Sequence, residues 1–260
     1  MAADYRPARV APVSDAIRPA ARGEAVGSPG QGADWVHLDP YVRPDLDRCA
    51  LVTIDVQADF LPGGASPLPG TDQVLPAISG LVSAFRSAGR PIAHAVRLYE
   101  GTDVDLVRRS AIRSGAPIVR PGSVGSQLAG PLWPSDTVDL DARRLLAGRV
   151  QELGTGEVAM WKPRWSAFYR TSLHEHLTSL GVNTVVVVGF NYPNCPRATI
   201  SDASVRDYRV LVVEDAISGI RDLHLEEASA IGAVSAASST IVRLLSAVPR
   251  PGAVREASGG

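Results

Sequence analysis

The sequence predicts an α/β domain of three layers, αβα, around a doubly wound, mainly parallel sheet of six strands. Three observations carry this. Thr184 to Val188 is an unbroken β-branched run closed by Gly189, the pattern of a strand buried on both faces inside a parallel sheet. Short apolar runs alternate with amphipathic helical stretches along the chain, as βαβ units require. Finally, Asp55, Lys162 and Cys195 each follow the carboxyl end of a predicted strand, where ligands bind in open α/β sheets.

Taken in order, residues 1–33 are rich in Ala, Pro, Arg and Gly without apolar periodicity and read as a mobile arm. Residues 34–248 form the expected domain, which opens with an extended lead-in through Trp35 and Tyr41. The first strand runs from Cys49 to Ile54 and ends at Asp55. A helix from about Gln73 to Ala88 follows, with Val74, Leu75, Ile78, Leu81, Val82 and Phe85 on one stripe and Gly89 as its stop. The second strand spans Pro91 to Leu98, passing Arg97 near its end. Residues 100–156 lose periodicity apart from a short helix near Val104 to Arg113, so they read as an excursion shaping a pocket or a subunit contact. The third strand, Glu157 to Trp161, closes at Lys162, and a helix capped by Thr171 or Ser172 runs to Gly181. After the central strand, Pro196 suits the first position of a helix, since its missing N–H would have had no partner there; that makes Cys195 the N-cap. A fifth strand over Arg209 to Val213, a helix from Leu223 to Ala233 and a sixth strand at Thr240 to Val242 complete the sheet. Residues 249–260 read as a loose tail.

The near-neutral charge, with 26 basic against 27 acidic residues, and the lack of an arginine stripe interleaved with aromatics argue against nucleic acid as a partner. No apolar span long enough for a membrane and no secretory leader is evident, and two cysteines are too few for a disulfide framework, so a cytoplasmic location is expected. Of the 26 basic residues only Lys162 is a lysine, the rest being arginine. A compact ammonium with a tunable pKa is the one cation a guanidinium cannot replace at a reacting centre.

Cys195 at a helix N-terminus lies at the positive end of the macrodipole, which favours a thiolate. A carboxylate, an ammonium and a thiol meeting beyond the strand ends would supply a base, an electrostatic partner and a nucleophile.

Three segments, Asp55-Val56-Gln57-Ala58-Asp59-Phe60, then Lys162 with Ser166-Ala167-Phe168, then Asn194-Cys195-Pro196-Arg197-Ala198-Thr199, together resemble the isochorismatase-like cysteine hydrolases, over about residues 48 to 245. That superfamily includes nicotinamidases, N-carbamoylsarcosine amidases, biuret hydrolases and maleamate amidases. The resemblance implies a catalytic triad of Asp55, Lys162 and Cys195, hydrolysis of a small amide, carbamoyl or ureido substrate through a thioester, no cofactor, and a homo-oligomer, dimer or tetramer. It also implies a cis peptide at Phe190–Asn191 and an oxyanion hole from the N–H groups of Asn191 and Cys195. In place of the Asp-x-His metal pair of nicotinamidases this chain has Val96-Arg97-Leu98-Tyr99-Glu100, so no metal is expected, and His94 reads as a core or supporting residue. True isochorismatases, which cleave a vinyl ether, typically lack the cysteine.

Candidate pocket residues are Phe60, Trp165, Tyr169 and Tyr192 as aromatic walls, Tyr99 near the end of the second strand, and Arg97, Arg164, Asn191 and Arg197 as anchors for a polar or carboxylate group. Asp59 reads as a structural hydrogen-bond acceptor. Three other functions stay open: a small-molecule-binding module with an inert cysteine, a thiol redox sensor, and an isochorismatase-type ether hydrolase. No G-x-G-x-x-G or P-loop supports nucleotide binding.

Overall fold

The computed structural model describes residues 35–101, 103–134 and 139–248. The expected arm over 1–33 and tail over 249–260 lie outside them. In chain order the strands are β1 (Cys49–Ile54), β2 (Ile92–Val96), β3 (Gln151–Gly154), β4 (Glu157–Trp161), β5 (Thr184–Gly189), β6 (Arg209–Ile217) and β7 (Val234–Ala236). The α-helices are α1 (Thr71–Ala88), α2 (Leu106–Arg113), α3 (Ala142–Leu146), α4 (Leu173–Ser179), α5 (Cys195–Val205), α6 (Asp222–Ala230) and α7 (Ser238–Ala247).

The strands form one sheet in the order β3-β4-β2-β1-β5-β6-β7, parallel throughout except that β3 runs antiparallel to β4. From β1 the chain winds outward through β2 to β4, then returns to the other side of β1 with β5. The strand order therefore reverses between β1 and β5, and a crevice opens there beyond their carboxyl ends.

Alternation along the central strands assigns the two cores. Leu51, Val186 and Val188 face Ile78, Leu81, Val82 and Phe85 of α1 and Ile241 and Leu245 of α7. Ala50, Val52, Ile54, Val185 and Val187 face Leu173 and Leu177 of α4, Ile200 and Ala203 of α5, and Ala228 of α6. Every residue of β1 and β5 is buried, as a strand covered by helices on both faces must be.

Three expectations need correction. The sheet has seven strands, because Gln151–Gly154 folds back on β4 as an edge hairpin whose alternating burial marks one wet face. Thr240 to Val242 lies inside α7, and the last strand is Val234–Ala236, where the apolar run is only three residues long. Lastly, the Phe190–Asn191 bond is trans, as are all peptide bonds among the described residues. The chain turns after β5 at Gly189 instead, with φ +127.

That glycine has no substitute. A Cβ there would stand 2.2 Å from the Ile54 carbonyl oxygen, which accepts the Phe190 N–H at 2.8 Å. Gly189→Ala is expected to destabilise the fold by at least about 2 kcal/mol through clash and backbone strain together, read as a lower urea midpoint.

Candidate active site

Asp55 follows β1 directly and is itself strained into the left-handed region, φ 54, which a non-glycine residue occupies only where its surroundings compel it. Its N–H donates to the Ala95 carbonyl at 3.0 Å and its own carbonyl accepts the Gln57 N–H at 2.8 Å, so the turn is held at both ends. The carboxylate, 4% exposed, points into the crevice. Lys162, the first residue after β4, is fully buried, and its Nζ donates to Asp55 Oδ2 at 3.0 Å and to the Arg164 carbonyl at 3.3 Å. Oδ1 of Asp55 makes no hydrogen bond among the described residues.

Cys195 opens α5 as its first residue, with Asn194 as the cap, so the helix starts one position earlier than the sequence suggested and Pro196 is its second residue. The Thr199 hydroxyl donates to the Cys195 carbonyl at 2.8 Å and accepts the Ala167 N–H at 3.0 Å. One hydroxyl thus ties the cysteine turn to the Ser166-Ala167-Phe168 segment behind Lys162. Neither the Asn191 nor the Cys195 main-chain N–H donates to an acceptor among the described residues, and both residues line the cavity.

That cavity encloses about 280 Å³, the size of a small metabolite, and is walled by Asp55, Phe60, Arg97, Tyr99, Trp165 and Asn191 among others. Arg97 is central to it: one guanidinium lies 3.5 Å from Cys195 Sγ, 3.8 Å from Asp55 Oδ1 and 2.7 Å from Asp105 Oδ2.

Burial pushes the Cys195 thiol up, and the adjacent Asp55 carboxylate adds to this, while Lys162 and Arg97 pull the other way; the net direction is upward. Burial and the Asp55 carboxylate thus outweigh the two cations at Sγ, and the helix start alone does not set the thiol's acidity.

The other expected pocket residues divide. Phe60, Tyr99 and Trp165 line the cavity. Arg164 and Tyr169 instead line a neighbouring, more apolar groove of about 430 Å³ that shares Trp165, Val107 and Asp105 with it, and Arg164 is engaged by Asp103 at 2.8 Å. Tyr192 turns away from the site, because its ring stacks on His224 at 4.3 Å and its hydroxyl donates to the His224 carbonyl at 3.1 Å. Arg197 is exposed and lies outside the cavity wall, since the third residue of α5 faces solvent. Asp59 is structural, accepting the Ala65 N–H at 3.1 Å and the Val119 N–H at 2.6 Å. His94 is buried, hydrogen-bonded to Thr53 and Glu157 at 2.8 Å each. Among the described residues no group of three or more His, Cys, Asp and Glu could hold a metal ion. No helix there is long and apolar enough to cross a membrane.

Asp105, Val107 and Arg108 were invisible as site residues in the sequence, although all three lie in the excursion expected to shape a pocket. Gln57, part of the first motif, had no role assigned from the sequence. Its amide accepts the Arg97 N–H at 2.7 Å and donates to the Arg97 carbonyl at 2.8 Å and the Ser126 carbonyl at 2.6 Å, pinning the excursion to the site.

Residues 49–241 match the isochorismatase domain family. The chain belongs to that family. A member from Arabidopsis thaliana, named a probable inactive nicotinamidase, is 32% identical over 173 residues, covering 64% of this chain and 79% of that protein. N-carbamoylsarcosine amidase of Arthrobacter sp is 26% identical over 214 residues, 78% of this chain and 74% of the amidase. Among solved family structures, an isochorismatase family protein from Desulfovibrio vulgaris superposes with a TM-score of 0.63 at 30% identity, over 76% of this chain and 98% of that one.

The electrostatics around Sγ predict the pH dependence of its alkylation by iodoacetamide. The rate should rise through a midpoint above the ordinary thiol range. Asp55→Asn, which removes an anion, should move that midpoint down, and Lys162→Met, which removes a cation, should move it up, each by about one pH unit.

Proposed function

We propose that this chain is a cysteine hydrolase that cleaves the C–N bond of a small amide, carbamoyl or ureido compound through a thioester, releasing ammonia or an amine. The observation that carries the proposal is the buried Lys162–Asp55 pair, at 3.0 Å, opening on the same small cavity as Cys195. A fully buried ammonium and a carboxylate are expensive to desolvate, and here they leave one carboxylate oxygen unoccupied beside a thiol. The amidase activity named for the Arthrobacter relative points to the same bond type.

In this mechanism Asp55 Oδ1 accepts the thiol proton as Sγ attacks the carbonyl carbon, while Lys162 holds the carboxyl group in place through Oδ2. The oxyanion that forms is met by the uncommitted N–H groups of Asn191 and Cys195; each such donor commonly contributes about 3 to 4 kcal/mol. As the tetrahedral species collapses, Asp55 returns its proton to the nitrogen, which departs as ammonia or amine. Water then loses a proton to Asp55 and adds to the thioester carbon; the C–S bond breaks, the carboxylic acid product leaves, and the expelled thiolate takes the proton back from Asp55.

A redox-sensor role fits the site poorly. Sensor thiols are acidic and exposed, whereas Cys195 is 7% exposed with its acidity suppressed, and Cys49 begins the strand that Asp55 ends.

A panel of carbamoyl amino acids, ureas, and aliphatic and aromatic amides, followed by ammonia release, tests the proposal. Cys195→Ala should lower turnover of any active compound at least about a thousandfold with an unchanged thermal melt, and hydroxylamine should intercept the thioester as a hydroxamate. Full activity in that variant would end the proposal. Lys162→Arg should lose most activity, because a planar guanidinium does not fit the pocket that seals the ammonium.

A further inference from the structure

We propose that Arg97 is a fourth catalytic residue, the cation that stabilises the Cys195 thiolate, and that Gln57 and Asp105 are positioning residues that hold it there. The role deepens the hydrolase mechanism and rests on it for the chemical step, though the thiol's acidity can be measured without any substrate.

Three features single out this arginine. Its side chain is 2% exposed, the largest of the fully buried side chains, and an arginine in a core is costly unless its charge is used. It is held at both ends independently: one Gln57 side chain grips the Arg97 N–H and carbonyl, at 2.7 and 2.8 Å, while Asp105 grips the guanidinium at 2.7 Å. The Tyr99 hydroxyl donates to the same Asp105 oxygen at 2.9 Å, orienting that carboxylate in turn. What remains of the guanidinium faces the reacting atoms, with Nη2 3.5 Å from Sγ and Nε 3.8 Å from Asp55 Oδ1.

Counting charges explains what that placement does. The groups facing Sγ are Asp55, Lys162 and Arg97, backed by Asp105 and Tyr99, with Arg108 farther along the cavity wall. At rest the two carboxylates balance Lys162 and Arg97. When the proton moves from Sγ to Asp55 Oδ1, one negative charge leaves the carboxylate and appears on sulfur, and the total does not change. Lys162 hydrogen-bonds to the group that loses the charge. Arg97 lies against both the group that loses it and the group that gains it, so it stabilises the charge at either end of the transfer. Burial works against the Arg97 charge, but the acidic groups around it, Cys195 and Asp55 foremost, more than offset it.

The test measures iodoacetamide alkylation of Cys195 against pH in the full chain, for the native protein, Arg97→Met and Arg97→Lys, with Arg97→Gln as a smaller polar variant should the methionine fail to fold. Removing the charge should raise the thiol midpoint by about one pH unit or more and slow alkylation at pH 7.5 about tenfold, with lysine restoring most of both. With any substrate found active, kcat should fall at least tenfold and KM change less than about threefold. An unmoved alkylation profile in folded Arg97→Met or Arg97→Gln, or a loss confined to KM, would overturn the role and leave Arg97 a substrate-binding or structural group. Loss of hydrolysis in Arg97 variants with an intact Cys195→Ala activity would instead count against the hydrolase mechanism itself.

Discussion

The buried ion pair between Lys162 and Asp55 is the constraint on which the site depends. Two opposite charges removed from water must meet at close range with their remaining polar atoms accounted for, or the fold loses more by desolvation than it gains. Lys162 meets this with Asp55 Oδ2 and the Arg164 carbonyl, in a shell with no exposure to solvent. Asp55 meets it only in part, leaving Oδ1 uncommitted. The carboxylate is held in the crevice by a backbone turn that no ordinary stability argument would select, given its left-handed φ.

The sheet makes the meeting possible. Asp55, Lys162 and Cys195 follow β1, β4 and β5, and only the reversal of strand order beside β1 brings three carboxyl ends around one crevice. Close approach at that point is bought with glycine: the β5 end passes so near Ile54 that a single methyl group would collide with its carbonyl. The second positive charge comes from β2, which pairs with β1 on the opposite flank from β5, so Arg97 and Cys195 face each other across Asp55.

The excursion between β2 and β3 completes the enclosure. Its Gln127 and Ala129 pair with Ala58 and Val56, and Gln57 reaches across to Ser126, so a segment without long regular elements is nonetheless fastened to the turn that carries Asp55. From it come Asp105, which neutralises Arg97, and Arg108 in the cavity wall. Its short helix α2 buries none of its own side chains and leaves Leu106 and Val107 exposed beside the neighbouring apolar groove.

The sequence alone determined the layered α/β architecture, the central strand and the three residues at strand ends, because burial on two faces and helical periodicity are written locally in apolar spacing. It also marked Lys162, through its isolation in an arginine-rich chain. It misassigned the last strand, where three residues carry too little pattern to outweigh the apolar run that α7 uses as its inner face. Tyr192 and Arg197 sit within three residues of Cys195 yet point elsewhere, since direction from a turn and a helix start depends on dihedral angles and on neighbours such as His224. Only the tertiary structure decided that burial pushes the Cys195 thiol up despite its place at a helix start, and that Arg97, held by Gln57 and Asp105, lies against it. Desolvation and the summed field of Asp55, Lys162 and Arg97, 33 to 140 residues from Cys195 in the chain, are properties of the folded enclosure, and no local stretch of sequence contains them.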